Sequence, residues 1–382
     1  LYEHYPRYFD ALELNIPESG DGVPDLLDEI LWNVRWMLAM QDPNDGGVYT
    51  KLTDPNFDGM HLPHRANQKR YVVQKSTAAT LDFAAVTALA ARIVDDFEAE
   101  LPGLADSLLT ASREAWDWAL NNQEVPYDQN AMNVQFDPDI NTGGYGDGSF
   151  FDEFRWAAAE LFVTTGDPFY LAAFDPTTQN AGVPGWPHVG SLGLFTLAHH
   201  REQVASAIDT AAVARKIVTA ANQLVNLQRE SAFGMPFGLT GDFYWGSNSG
   251  AANQGFVLLQ AYALTGEERY RDAALANLDY LLGRNGIGWS FLTGYGDRTP
   301  KLPHHRPSEG DTIADPVPGL LVGGPNATAP QSGENCPSYL GTLPGTTYTD
   351  HDCSYASNEI AINWNAPLVY VAAAIQALTP AE

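Results

Sequence analysis

Ala159-Glu-Leu-Phe-Val-Thr-Thr-Gly166-Asp-Pro-Phe-Tyr170-Leu-Ala-Ala173 is echoed further along the chain by Leu259-Gln-Ala-Tyr-Ala-Leu-Thr-Gly266-Glu-Glu-Arg-Tyr270-Arg-Asp-Ala273. In both, a helical pattern stops at a glycine, the residue that takes a left-handed C′ position without steric cost, and an acidic residue then opens the next helix. Each stretch encodes a tight αα-hairpin. Such hairpins bury their apolar faces only against neighbours, so the echo points to a helical array.

Reading outward, Pro24 opens a helix at N1, with Asp25, Asp28 and Glu29 in turns where the dipole favours them. Leu27, Ile30, Leu31, Val34, Met37 and Leu38 make its apolar stripe, and the turn cluster Asp42-Pro-Asn-Asp-Gly-Gly47 ends it. Alanine-rich patterns follow from Ser76 to Phe97 and from Leu104 to Asn121. After a loop containing Gly143-Gly-Tyr-Gly146, helices are expected over 152–165, 189–200, 204–227, 267–282 and 361–378, with a long loop-rich stretch at 283–358. Trp32, Trp36, Trp116, Trp118 and Trp156 lie within helix stripes and are assigned to the core. The pattern gives about ten helices and little strand, an all-α fold.

No long linker or low-complexity tract divides the 382 residues, so one domain over 1–382 is expected. A net charge of −27 disfavours nucleic acid and anionic membrane surfaces, which it would repel, and leaves a neutral ligand compatible. No run of 18 apolar residues occurs, so no membrane span is expected, and no signal peptide opens the chain. Two cysteines, Cys336 and Cys353, are too few for an all-cysteine zinc site. A disulfide between them would close a loop of about 16 residues, stabilising by roughly 3 kcal/mol in the chain-entropy model, and would be compatible with secretion. Asn326-Ala-Thr328 is a glycosylation sequon that matters only in a eukaryotic secretory host.

The chemistry concentrates near the C-terminus, in Tyr348-Thr-Asp350-His-Asp-Cys-Ser-Tyr355-Ala-Ser-Asn-Glu359-Ile-Ala361-Ile-Asn-Trp364-Asn365-Ala366. Glu359 falls near the first turn of the last helix, where a half-buried carboxyl can keep its proton at neutral pH and serve as a general acid; a helix-capping role is the plain alternative. The segment resembles the C-terminal signature of glycoside hydrolase family 9, the inverting β-glucanases of cellulase type. Ser290-Phe-Leu-Thr-Gly-Tyr-Gly-Asp-Arg-Thr-Pro-Lys-Leu-Pro-His304-His305-Arg306 resembles that family's histidine signature. Further similarity runs through Leu14-Asn-Ile-Pro-Glu18, Asp25-Leu-Leu-Asp-Glu29, Tyr244-Trp-Gly-Ser-Asn248 and Pro316-Val-Pro-Gly-Leu-Leu-Val-Gly-Gly-Pro325.

The resemblance implies an (α/α)6 barrel, here lacking about the first two helices, that hydrolyses β-1,4-glucan by inversion. It implies Glu359 as general acid, Asp350 as a supporting carboxylate that raises the acid's pKa by like charge, His304 in the active site and Arg306 on sugar hydroxyls. His305 could be structural. Tyr244, Trp245, Trp364 and Trp186 are matched to sugar-binding aromatics. Asp147, Ser149, Asp152 and Glu153 could hold a structural calcium, as in family members, or could cap a helix; no other cofactor is required. The resemblance further implies a secreted monomer acting on cello-oligosaccharide or β-glucan, with accessory domains outside the chain. The family's general base sits in an Asp-Ala-Gly-Asp motif that these residues do not contain, so the base is expected upstream of Leu1 and the chain alone is expected to be inactive or very weak. Exo-acting glucosidase or glucosaminidase activity and a silent glycan-binding scaffold are the rival readings.

Overall fold

The computed structural model describes residues 1–334, 336 and 339–379. It is about 51% helical. Among the described residues the only sheet pairs Leu52–Thr53 with Tyr71–Val72, antiparallel. The chain forms two compact units: residues 1–57, 68–181 and 187–213, and residues 58–67, 182–186 and 214–382.

The first unit contains α1 (Asp25–Leu38), α2 (Thr77–Val94), α3 (Leu104–Asn121), α4 (Gln129–Gln135), α5 (Phe151–Thr165) and α6 (Gly190–His199). Helix α2 is its centre, packed against α3 and α5, while α5 in turn packs on α6. Its alanines explain this: Ala84, Ala85, Ala88 and Ala91 are buried and let neighbouring backbones approach from several sides. Ser76 caps α2 by accepting the Ala79 N–H. Trp116 is fully buried with its ring edge-on to Phe154, Tyr170 and Phe174.

Two tryptophans depart from expectation. Trp32 is 80% exposed and Trp36 47% exposed. Of α1's apolar residues only Leu27, Leu31 and Val34 are buried, the narrow i, i+4, i+7 arc of one helix face. Residue 32 is rotated about 100° beyond the edge of that arc and residue 36 about 140°, onto the opposite face. Pro24 stands at the N-cap rather than N1, and α4 occupies what reads as loop.

The second unit holds α7 (Thr210–Glu230, from Ala214 onward), α8 (Ser247–Thr265), α9 (Glu268–Leu281) and α10 (Ile362–Leu378). Helix α8 packs on both α9 and α10. The two echoing stretches form the expected turns. Gly166 and Gly266 have φ of 72° and 70°, and their N–H groups donate to Phe162 and Tyr262 carbonyls. Phe237, Tyr280, Phe291, Leu321, Val322 and Tyr348 form a buried cluster beneath the loops between α9 and α10. Cys336 and Cys353 are joined as a disulfide with Cα atoms 5.7 Å apart.

Candidate active site

Glu359 lies outside α10. It follows the short helix Tyr355–Asn358, and its backbone is extended, with φ −71° and ψ 153°. It pairs in a parallel bridge with His304, and Ile360 pairs with Val322. His304 N–H donates to the Asn358 carbonyl at 2.8 Å, and Gly323 N–H to the Glu359 carbonyl at 2.9 Å. The acid is thus carried on a strand-like rung between two loops, which fixes its direction better than a fraying helix end would. Because paired residues share a face, this rung brings Glu359 and His304 together.

The Glu359 carboxyl is pushed above the usual carboxylate range, chiefly by burial; the Trp245 indole, His304 and Arg306 pull the other way. Trp245 Nε1–H donates to Glu359 Oε2 at 3.3 Å. The Trp245 ring stacks on Tyr355, with centroids 5.6 Å apart, and Tyr355 stands edge-on to His304 at 6.1 Å. His304 Nδ1 is held by the Asp352 carbonyl. Arg306 opens the helix Arg306–Gly310 and donates from Nε to the Asp58 carbonyl at 3.1 Å. His305 contacts Ser308 Oγ through Nδ1, and burial lowers its pKa, consistent with a structural neutral imidazole.

Asp350 does something other than repel the acid. Its carboxylate accepts from Lys301 N–H at 2.8 Å, Leu302 N–H at 3.0 Å and Asn358 Nδ2 at 3.2 Å. Burial, not like charge, is the largest cause of the raised Glu359 pKa. Asp350 therefore ties the segment leading to His304 to the residue preceding Glu359. Asn358, which the sequence did not single out, is the hub. It is buried, accepts from Tyr348 OH at 2.7 Å and donates to the Leu302 carbonyl at 2.6 Å. Tyr348 is fully buried with its hydroxyl pKa raised by that burial, so it stays a donor.

The aromatics divide. Tyr244 and Trp245 are about half exposed, on the turn before α8. That turn needs Gly246: its φ is 79°, and a Cβ there would lie 2.5 Å from Trp364. Trp364 is accordingly half-buried, packed against Gly246 and Gly323, and supports the turn that presents Tyr244 and Trp245. Trp186 is 56% exposed on the segment 182–186.

In the first unit the acidic run at 147–153 gathers a member that sequence reading missed. Asp82, on α2, is part-buried, and its pKa is pushed up to about 7, by desolvation first and then by Asp152 and Asp147. Glu153 is pushed up to about 9, by desolvation and then by Asp82 and Asp152. Asp82 Oδ1 and Glu153 Oε2 are buried without a hydrogen-bond partner. Asp152 Oδ2 accepts from Val189 N–H, and Asp147 Oδ1 from Ser149 N–H. The two orphaned oxygens and their neighbouring carboxylates offer hard donors of the kind a divalent cation takes, while Asp147 and Asp152 also accept backbone N–H groups as capping residues do. Nothing in the spacing of 147–153 could have pointed to Asp82, which arrives from a separate helix.

The family model described as Glycosyl hydrolase family 9 matches residues 1–372. A xyloglucan-specific endo-β-1,4-glucanase of Bacteroides ovatus is 43% identical over 99% of this chain, which spans 65% of that protein. Endoglucanase C of Cellulomonas fimi is 37% identical over 94% of this chain, which spans 33% of it. The chain thus covers less than two thirds of these relatives' length. Among solved structures, a Bacteroides ovatus family 9 protein superposes with a TM-score of 0.91 at 41% identity, covering 99% of this chain and 67% of its own. A metagenome-derived family 9 endoglucanase gives 0.87 at 36% identity, covering 99% of this chain and 66% of its own. The fold class is therefore that of the all-α (α/α)6 enzymes, and the chain belongs to glycosyl hydrolase family 9.

Proposed function

We propose that this chain supplies the general-acid side of an inverting site that hydrolyses β-1,4-glucosidic bonds in a glucan. The observation that carries the reading is Glu359: a half-buried carboxyl with a raised pKa, fixed on a backbone rung beside His304 and contacted by the Trp245 indole. In its protonated form it would donate to the departing glycosidic oxygen, while Tyr244 and Trp245 offer ring faces to pyranose units and Arg306 offers guanidinium donors to hydroxyls. Inversion also requires a carboxylate base roughly 6.5–9.5 Å from the acid, with a water between base and sugar. No Asp-Ala-Gly-Asp motif occurs in the 382 residues, and we assign the base to a segment outside this sequence. The test is hydrolysis of soluble β-1,4-glucan by the intact gene product, with the product anomer followed by NMR. Inverted anomer formed first is the expected result; retained anomer, or binding without turnover, overturns the assignment.

A branched glucan is the favoured substrate, because a relative 43% identical is named xyloglucan-specific. Higher kcat/KM on xyloglucan than on unbranched glucan would bear this out. Secretion is proposed from the Cys336–Cys353 disulfide, which an oxidising compartment maintains.

Trp245 also sets the working pH. The acid must be protonated to act, so activity falls as pH rises through its pKa. Trp245 N–H stabilises the carboxylate and so lowers that pKa. Trp245→Phe is therefore expected to move the basic limb of the kcat profile to higher pH, read from kcat against pH on a soluble substrate. A downward shift would contradict the hydrogen bond's role.

Asp82, Asp147, Asp152 and Glu153 are proposed to hold calcium, whose charge would satisfy the orphaned oxygens and link α2 to the start of α5. Millimolar calcium is expected to raise Tm by about 1–3 °C, roughly what 1–2 kcal/mol gives in a chain of this size. Glu153→Gln should lose that increment. An equal rise in wild type and variant would remove the site.

A further inference from the structure

Away from the glutamate site and the acidic run, one cluster in the first unit joins nitrogen and oxygen donors. Glu3, His199 and His200 bring one ligand atom each within 4.8 Å of one another. His199 ends α6 and His200 caps it. His200 Nε2 lies 3.1 Å from Glu3 Oε1, yet this nitrogen is buried without a properly aligned hydrogen bond. The His4 ring stands 4.4 Å from that of His199.

The charges around the cluster favour a cation. Glu3 is gripped by Arg92, through Nε at 2.6 Å and Nη2 at 3.0 Å, and Arg92 Nη1 reaches buried Glu160 at 2.7 Å. Two carboxylates against one guanidinium leave one negative charge beside the imidazoles. Each carboxylate oxygen has two lone pairs, so Arg92 can orient Glu3 without exhausting it, as a donor behind a metal ligand does. His199 is exposed, which gives an ion a route from solvent.

We propose that Glu3, His199 and His200 bind a borderline dication of the zinc class, with His4 beside them as a third imidazole. Two imidazole nitrogens and one carboxylate suit zinc, and the all-oxygen preference of calcium and magnesium excludes them here. The bound ion would fasten the segment at Glu3 to the end of α6.

The intact gene product, stripped with chelator, is titrated with zinc chloride by calorimetry. Excess calcium and physiological salt are present, so that carboxylate-only sites and the diffuse pull of a −27 chain are saturated. One equivalent is expected to bind and to raise Tm with zinc concentration. His200→Ala and His199→Gln should each weaken binding by about tenfold or more, since even losing an outer-shell partner costs that much. Cobalt substituted for zinc should give visible ligand-field bands that both variants lose. His199 is at the surface, so His199→Gln carries the test if His200→Ala does not fold. Zinc binding unchanged in the folded variants, or none in wild type, overturns the site.

Discussion

Glu359→Gln is expected to cut kcat on β-glucan by about 10²- to 10⁴-fold, the range a positioned general acid supplies. The amide is isosteric and keeps an oxygen for the Trp245 N–H, and the His304 rung is made by backbone, so fold and substrate affinity should persist. Protonation is what disappears. The loss should therefore depend on the leaving group: an aryl cellobioside that expels an acidic phenol needs little proton donation and should lose far less than glucan does. Parallel assays of the intact gene product on both substrates separate this from general damage. Equal losses on the two would mean that Glu359 holds the site together instead of donating to it.

The helical hairpins were legible because a single residue decides each: a glycine at C′ is read locally, and both echoes close at φ near 70°. Burial was less so. Trp32 and Trp36 sit at helical spacing in an apolar helix, and which arc of α1 faces inward depends on α2 and α3, not on α1 itself. Glu359 reads as lying near the first turn of the last helix, because the pattern of α10 extends back to Ala361 and conceals the short turn and rung before it. Trp364 reads as a sugar platform from its neighbours in sequence, whereas Gly246, over a hundred residues earlier, turns it into packing. Asn358 and Asp82 were invisible for the same reason: their roles come from partners on other elements, Tyr348, Leu302 and Asp350 for one, Asp152 and Glu153 for the other.

Asp350→Ala is expected to lower kcat by about 10²-fold, the loss that a 1 Å displacement of a reacting group can cause, while unfolding free energy falls by only about 1–2 kcal/mol. The small stability cost follows from where the freed donors lie. Lys301 and Leu302 are exposed and can turn to water, and Asn358 keeps the Leu302 carbonyl and Tyr348. The larger kinetic cost follows from what is untied: the segment entering His304 and the residue entering Glu359 are no longer joined by one carboxylate. Asp350→Asn distinguishes this from electrostatics. Were Asp350 raising the Glu359 pKa by like charge, removing its charge would move the basic limb of the kcat profile to lower pH. A positioning carboxylate predicts otherwise. The amide oxygen still accepts from Leu302 and Asn358, the amide nitrogen meets only the exposed Lys301 N–H, and the expected result is a partial loss of kcat with the limb unmoved. A limb that drops in Asp350→Asn at full kcat would restore the like-charge mechanism.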